Sequence, residues 1–149
     1  MTVRRTARTH ERGTALAEFA VVLTASMLII VGIIDFGRGL YTYHLVSNAA
    51  RLASRYASVR GSACSSPGCP VTQAALQTYV RGLYPELNAS GLAVTPTWTT
   101  GNGCAGTPFK SPGCNVSVQV TYTVTFSALR GLPTFNLPMS STSQMIISL

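Results

Sequence analysis

Acidic and histidine residues are scarce in this sequence. Its 149 residues include four Asp and Glu and two His, and 10% of them are charged, against about 25% in an ordinary soluble domain. Beyond Arg38 the sole carboxylate is that of Glu86 and the sole imidazole is that of His44. The chain therefore offers no carboxylate pair and no histidine cluster for acid–base catalysis or metal binding, so neither an enzyme nor a bound cofactor is expected.

The basic residues are distributed unevenly. The formal net charge is +7, but four arginines, Arg4, Arg5, Arg8 and Arg12, lie within the first twelve positions. The positive charge is thus largely a property of the N-terminal tail and does not predict a nucleic-acid partner. With 46% hydrophobic residues, intrinsic disorder is excluded, and part of the chain is expected to lie in lipid.

An uncharged apolar run extends from Phe19 to Ile34. Together with residues 14–18 it makes 21 residues, about 31 Å of helix, which matches a hydrocarbon core of roughly 30 Å. Glu18 is the one charge in this span, and its cost near the end of the span is smaller than the gain from the apolar side chains. The arginines before the span place the N-terminus in the cytoplasm and the remaining chain outside.

The junction before the apolar run carries a second signal. A secretory signal peptide is the alternative, but Glu18 interrupts the start of its apolar region and no A-x-A-like site follows. The segment Arg12-Gly13-Thr14-Ala15-Leu16-Ala17-Glu18-Phe19 instead resembles the class III signal of type IV prepilins. That resemblance implies cleavage by a prepilin peptidase between Gly13 and Thr14, with Glu18 fifth in the mature chain.

Three segments after the span resemble the TadE-like family of pseudopilins, or minor pilins, of the tight-adherence pilus. They are Asp35-Phe36-Gly37-Arg38, Val46-Ser47-Asn48-Ala49-Ala50-Arg51 and Ala53-Ser54-Arg55-Tyr56-Ala57. The resemblance implies a structural subunit of the bacterial inner membrane whose partners are prepilin peptidase, other pilin and pseudopilin subunits and the pilus assembly machinery. No small-molecule substrate is implied. Glu18 would pair with the freed amine of Thr14 during assembly, and Phe19 would contact neighbouring subunits. Asp35 would mark the membrane boundary or contact a subunit.

The helix is expected to continue beyond the membrane. Apolar positions recur at helical spacing from Leu45 to Tyr56, and no proline precedes Pro67. Gly32, Gly37 and Gly39 would permit a bend at the membrane exit or close packing with another helix. We therefore divide the chain into a leader (1–13), a membrane span (14–34), an outer continuation of the helix (35–60) and a head (61–149).

All four cysteines lie in two loops of the head that are rich in Pro and Gly. Outside the membrane an even count predicts two disulfides, for which three connectivities exist. Local pairing, Cys64 with Cys69 and Cys104 with Cys114, is favoured because each bond closes a turn-rich loop. A zinc site is the alternative, but the spacings depart from those usual for zinc ligands.

The rest of the head predicts an α+β fold. Val71, Ala75, Tyr79 and Leu83 form one stripe of a short helix that Pro85 ends, and this helix should pack on the sheet. Residues 116–126 alternate strictly, as in a half-buried antiparallel strand. Leu92–Thr100 predicts a strand placed at an edge by Pro96, and Met139–Leu149 predicts a last strand with Met145 and Ile147 inward.

One alternative function remains at this stage. The same anchor would serve an extracytoplasmic binding module that is not incorporated in a pilus and that binds through a strand edge or through the loops near Trp98. The sequence does not distinguish TadE from TadF types, or a filament component from an assembly factor.

Overall fold

The computed structural model describes residues 7–87, 90–99, 104, 110–126 and 134–148, with side chains from Gly13 onward. Its elements, in chain order, are α1 (Ala7–Ser58), α2 (Gln73–Leu83), β1 (Leu92–Trp98), β2 (Asn115–Phe126) and β3 (Phe135–Ile146). The predicted α+β class is confirmed. The four leader arginines lie outside the described side chains.

A single helix, α1, forms the first third of the chain. Its 52 residues correspond to about 78 Å, and they contain no proline that would interrupt it. The side chains before Gly39 are almost all exposed, whereas one face from Gly39 onward is buried against the head. The buried face consists mainly of small residues: Gly39, Val46, Ala49, Ala50, Ala53, Ser54, Ala57 and Ser58. The predicted continuation of the helix past the apolar run is therefore confirmed.

The sheet has three antiparallel strands in the order β1-β2-β3. In the central strand β2 the inward residues Val116, Val118 and Val120 are fully buried, as its alternation predicts. Val120 stands opposite Val94 of β1 on one side and Ser141 of β3 on the other. One face of the sheet therefore carries the core, and its other face carries mainly uncharged polar side chains.

Both helices cover the apolar face. The small residues of α1 bring it close to the sheet, and the Ser54 hydroxyl donates to the Ser143 hydroxyl of β3 at 2.9 Å. Helix α2 is capped by Thr72, the residue before its first turn. It lies beside β1, where Gln73 Nε2 donates to the Val94 carbonyl at 3.0 Å. Strand β1 is an edge strand, which confirms the place predicted from Pro96.

Two details of the predicted packing are wrong. Ala75 and Tyr79 pack against the core as predicted, but the fully buried residues of α2 are Leu76 and Val80, and Leu83 is 43% exposed. The buried Val71 precedes the helix.

The last strand also differs from its prediction. It begins at Phe135, four residues before Met139, and includes Pro138, which an edge strand tolerates. Ile147 is buried as predicted, but Met145 is 37% exposed, because the edge leaves one flank of this side chain open to solvent.

Candidate functional site

The predicted cleavage junction lies within α1. Gly13 and Thr14 are exposed, and a Cβ atom added at Gly13 would meet no atom within 4 Å among the described residues. Glycine is also a poor helix former, at about 1 kcal/mol less favourable than alanine. The Gly13–Thr14 bond therefore lies in an exposed part of α1.

Glu18 is the sole charged side chain between Gly13 and Ile34. It is exposed, and it follows Thr14 by four residues, so both lie on one face of α1 about 6 Å apart along the axis. Phe19, beside it, is also exposed. Thr14 and Glu18 therefore share an exposed face at the start of the apolar run, and Phe19 lies on an adjacent face.

The apolar run is left exposed by the described residues of the head. Helix α1 is long and apolar enough to cross a membrane, and the most apolar stretch of it has no buried residue. Its large side chains point outward all around the helix; they are Leu16, Phe19, Val21, Val22, Leu23, Met27, Leu28, Ile29, Ile30, Ile33 and Ile34. A helix that is apolar on every side requires lipid or other apolar helices around it.

The end of the apolar run is marked by an ion pair. Arg38 Nη1 lies 3.8 Å from Asp35 Oδ1, three residues earlier on the same helix face, as the sequence predicts. An exposed pair of this kind contributes at most about 1 kcal/mol to stability. Its main consequence is that the two charges nearly cancel where α1 leaves the predicted span.

The cysteine loops lie at the opposite end of the head. Cys64 is bonded to Cys69 and Cys104 to Cys114, the local pairing that the loops favour, and no described cysteine is free. The two loops are also tied to each other, because the Ser62 amide donates to the Lys110 carbonyl at 2.9 Å. Among the described residues, no group of three or more His, Cys, Asp or Glu side chains comes together.

Lys110 is a feature that the sequence reasoning missed. It is 9% exposed; its Nζ donates to the Val71 carbonyl and lies 4.2 Å from the centre of the Trp98 ring. Burial lowers the pKa of the Lys110 ammonium below its usual value. The signal available in the sequence was that Lys110 is the one lysine of the chain and lies beside a cysteine loop.

The comparison with protein families concerns α1. Residues 13–55 match the family model described as TadE-like protein, which confirms the resemblance of this segment. No curated protein and no solved structure matches the chain. The match begins at the predicted cleavage junction and ends three residues before the end of α1.

Proposed function

We propose that this chain is a pilin-like structural subunit, a pseudopilin or minor pilin, that serves assembly of a tight-adherence pilus. The observation that carries the proposal is the TadE-like match, which starts at Gly13 and includes the whole uncovered apolar half of α1. The outer half of α1 packs against the head, and its inner half is exposed among the described residues. This arrangement suits a subunit that exchanges lipid for neighbouring helices.

In this proposal residues 14–34 cross the inner membrane once, with the leader in the cytoplasm and the head outside. Prepilin peptidase removes residues 1–13. The apolar side chains of α1 then move from lipid into a helical bundle, and because both surroundings are apolar this transfer costs little. The protein acts through helix packing, without catalysis.

Glu18 supplies the register of that packing. A carboxylate within an apolar bundle is costly unless it is paired, and cleavage creates an ammonium at Thr14 that can pair with it. Because Glu18 and Thr14 lie four residues apart, pairing between neighbours offsets the two helices by about 6 Å along their axes. The offset is the same for every successive subunit, as an ordered bundle requires.

The test is the N-terminus of the protein from cells. Mass spectrometry of the full-length gene product in cells with an active prepilin peptidase should find a chain that begins at Thr14. The matched control is the same protein from cells without the peptidase, where residues 1–13 should remain. An intact Met1 leader in both strains would contradict the proposal and favour the anchored binding module instead.

A further inference from the structure

An apolar hollow lies where α1 enters the head. It has a volume of about 360 Å³ and is open to the outside. Its lining residues are apolar or aromatic apart from Asp35: Asp35, Phe36, Gly39, Leu40 and Tyr43 from α1, and Phe126, Leu137, Pro138 and Met139 from the sheet. Phe135, paired with Phe126, continues the same face of β3 beyond it. We call this surface, formed by Phe36, Leu40, Phe126, Phe135 and Leu137, the lower apolar surface.

The contacts between β3 and α1 determine which end of the head faces the span. Phe126, opposite Phe135, reaches to 3.3 Å from the Cβ position of Gly39. At the other end the Ser148 amide donates to the Ser58 carbonyl at 2.9 Å. Strand β3 therefore runs away from the apolar run, and the levels of Gly39 and Ser58 differ by about 28 Å along α1.

The lower apolar surface lies at the height of the membrane interface. If the hydrocarbon core ends at Ile34, Phe36 stands about 3 Å and Leu40 about 9 Å beyond it along α1. Headgroups and interface add roughly 5 to 8 Å on each side of the core. Helical side chains also tilt toward the N-terminus, so those of Phe36 and Leu40 point back toward the span.

Continuity and charge identify the occupant. On one face of α1 the exposed apolar side chains Ile29, Ile33, Phe36 and Leu40 follow one another at helical spacing, and exposed Leu137 and Phe135 of the sheet lie beyond them. Asp35 is the one charged residue among those that line the hollow, and its Oδ1 lies 3.8 Å from Arg38 Nη1, whereas Glu86 lines a separate hollow with Arg38. A surface that is continuous with a membrane span and nearly neutral favours interfacial lipid over water.

We infer that the lower apolar surface docks the head onto the outer face of the bilayer, with lipid acyl chains in the hollow, while the subunit is anchored. The docked head is held at a fixed height and orientation relative to the span before assembly. This inference rests on the membrane anchoring within the proposed function and goes beyond it, because anchoring by α1 alone leaves the head free of lipid.

Single-tryptophan reporters in the full chain test the docking. In a Trp98→Phe background the reporters are Phe135→Trp and Leu137→Trp on the lower apolar surface. The matched control is Ile146→Trp, at the far end of the same strand, where the native side chain is as exposed as that of Phe135, 66% against 63%. Leu28→Trp reports on the span itself.

The proteins are reconstituted in phosphatidylcholine vesicles whose acyl chains carry bromine either near the glycerol end or near the chain end. Shallow bromine should quench Phe135→Trp and Leu137→Trp about twofold or more, as for groups within 5–10 Å of the headgroup boundary, and leave Ile146→Trp unchanged. Deep bromine should quench Leu28→Trp.

The reporters distinguish a failure of docking from a failure of membrane anchoring. If Leu28→Trp is quenched but the lower reporters behave like Ile146→Trp, docking is overturned and anchoring stands. If Leu28→Trp is unquenched, both membrane anchoring and docking are overturned. If the lower reporters are shielded from bromine and their emission changes with the protein-to-lipid ratio, a second copy covers the surface and lipid docking is overturned.

Discussion

Lys110 joins both cysteine loops to the body of the head. Its carbonyl accepts from Ser62, its ammonium donates to Val71, and its charge lies over the Trp98 ring. A buried ammonium next to an aromatic face retains part of its stabilisation through the cation–π contact. Desolvation opposes this and lowers the pKa below the ordinary value of 10.5.

We expect this pKa to be measurable directly, because a protein labelled with ¹³C at lysine Cε should give one lysine resonance. In the folded chain it should titrate below 10.5, and in denaturant near 10.5. Between the folded-state pKa and 10.5 the unfolded state binds more protons than the folded state. The free energy of unfolding should therefore rise as the pH increases toward 10.5. Lys110→Met should lack that rise. Equal midpoints in the folded and denatured protein would contradict the burial.

Gly39 shows what the sequence leaves open at the scale of one residue. Its position near the membrane exit was compatible with a bend or with packing against another helix. The structure places the ring of Phe126 against it, with Cζ 3.3 Å from the position a Cβ would take. The partner is 87 residues away in the sequence, so no local pattern could have identified a helix–sheet contact.

At the scale of elements, the predictions succeed where one pattern extends over many residues. The alternation of residues 116–126 predicted β2, and the apolar run followed by helical spacing predicted α1. In both, nearly every residue favours the same structure, so local preference and tertiary packing agree.

The predictions fail where a short element is oriented by its neighbours. On α2 the apolar stripe through Leu83 and the line through Leu76 and Val80 are both compatible with a helix, and the sequence does not decide which one is buried. The choice follows from the position of α2 between α1 and β1, where Tyr79 stacks on Tyr56 at 4.1 Å between ring centres. Likewise, the start of β3 is determined by pairing of Phe135 with Phe126.

The two cross-linked loops should be fully oxidised in the protein from cells. Closing loops with separations of 5 and 10 residues should stabilise the head by about 2 and 3 kcal/mol, respectively, through the entropy of the unfolded chain. Thiol labelling of the denatured, unreduced protein should find no free cysteine, and after reduction it should find four. Labelling of all four without reduction, or stoichiometric zinc, would overturn the assignment.

At the scale of the whole molecule, α1 and the head differ in their similarity to known protein families. The TadE-like match covers residues 13–55, most of α1, whereas the whole head, residues 61–149, lies outside it. The segment to which we assign anchoring and assembly could therefore be identified from motifs. The position of the head could not be predicted from motifs, because it depends on the contacts of Gly39, Ser54 and Ser58 with residues that are distant in the sequence.

Two substitutions should separate anchoring, cleavage and assembly. Glu18→Ala removes a charge that costs up to about 3 kcal/mol at mid-membrane and less near the end, so membrane insertion should persist. Cleavage after Gly13 should also persist, but pilus counts should fall at least about tenfold, because the ammonium of Thr14 is left without a partner in an apolar bundle. Gly13→Leu should block cleavage and leave a full-length, membrane-inserted chain.

Membrane fractionation, the mass of the mature chain and pilus counts measure insertion, cleavage and assembly in the same cells. The matched control is Glu86→Ala, which removes a carboxylate of the head and should leave insertion, cleavage and assembly unchanged. Glu18→Ala should be cleaved but unassembled, and Gly13→Leu should be inserted but uncleaved. These opposite patterns are expected only if α1 first anchors the chain in lipid and then packs in a helical bundle. Normal pilus numbers with Glu18→Ala would show that this carboxylate has no part in setting the register between neighbouring helices.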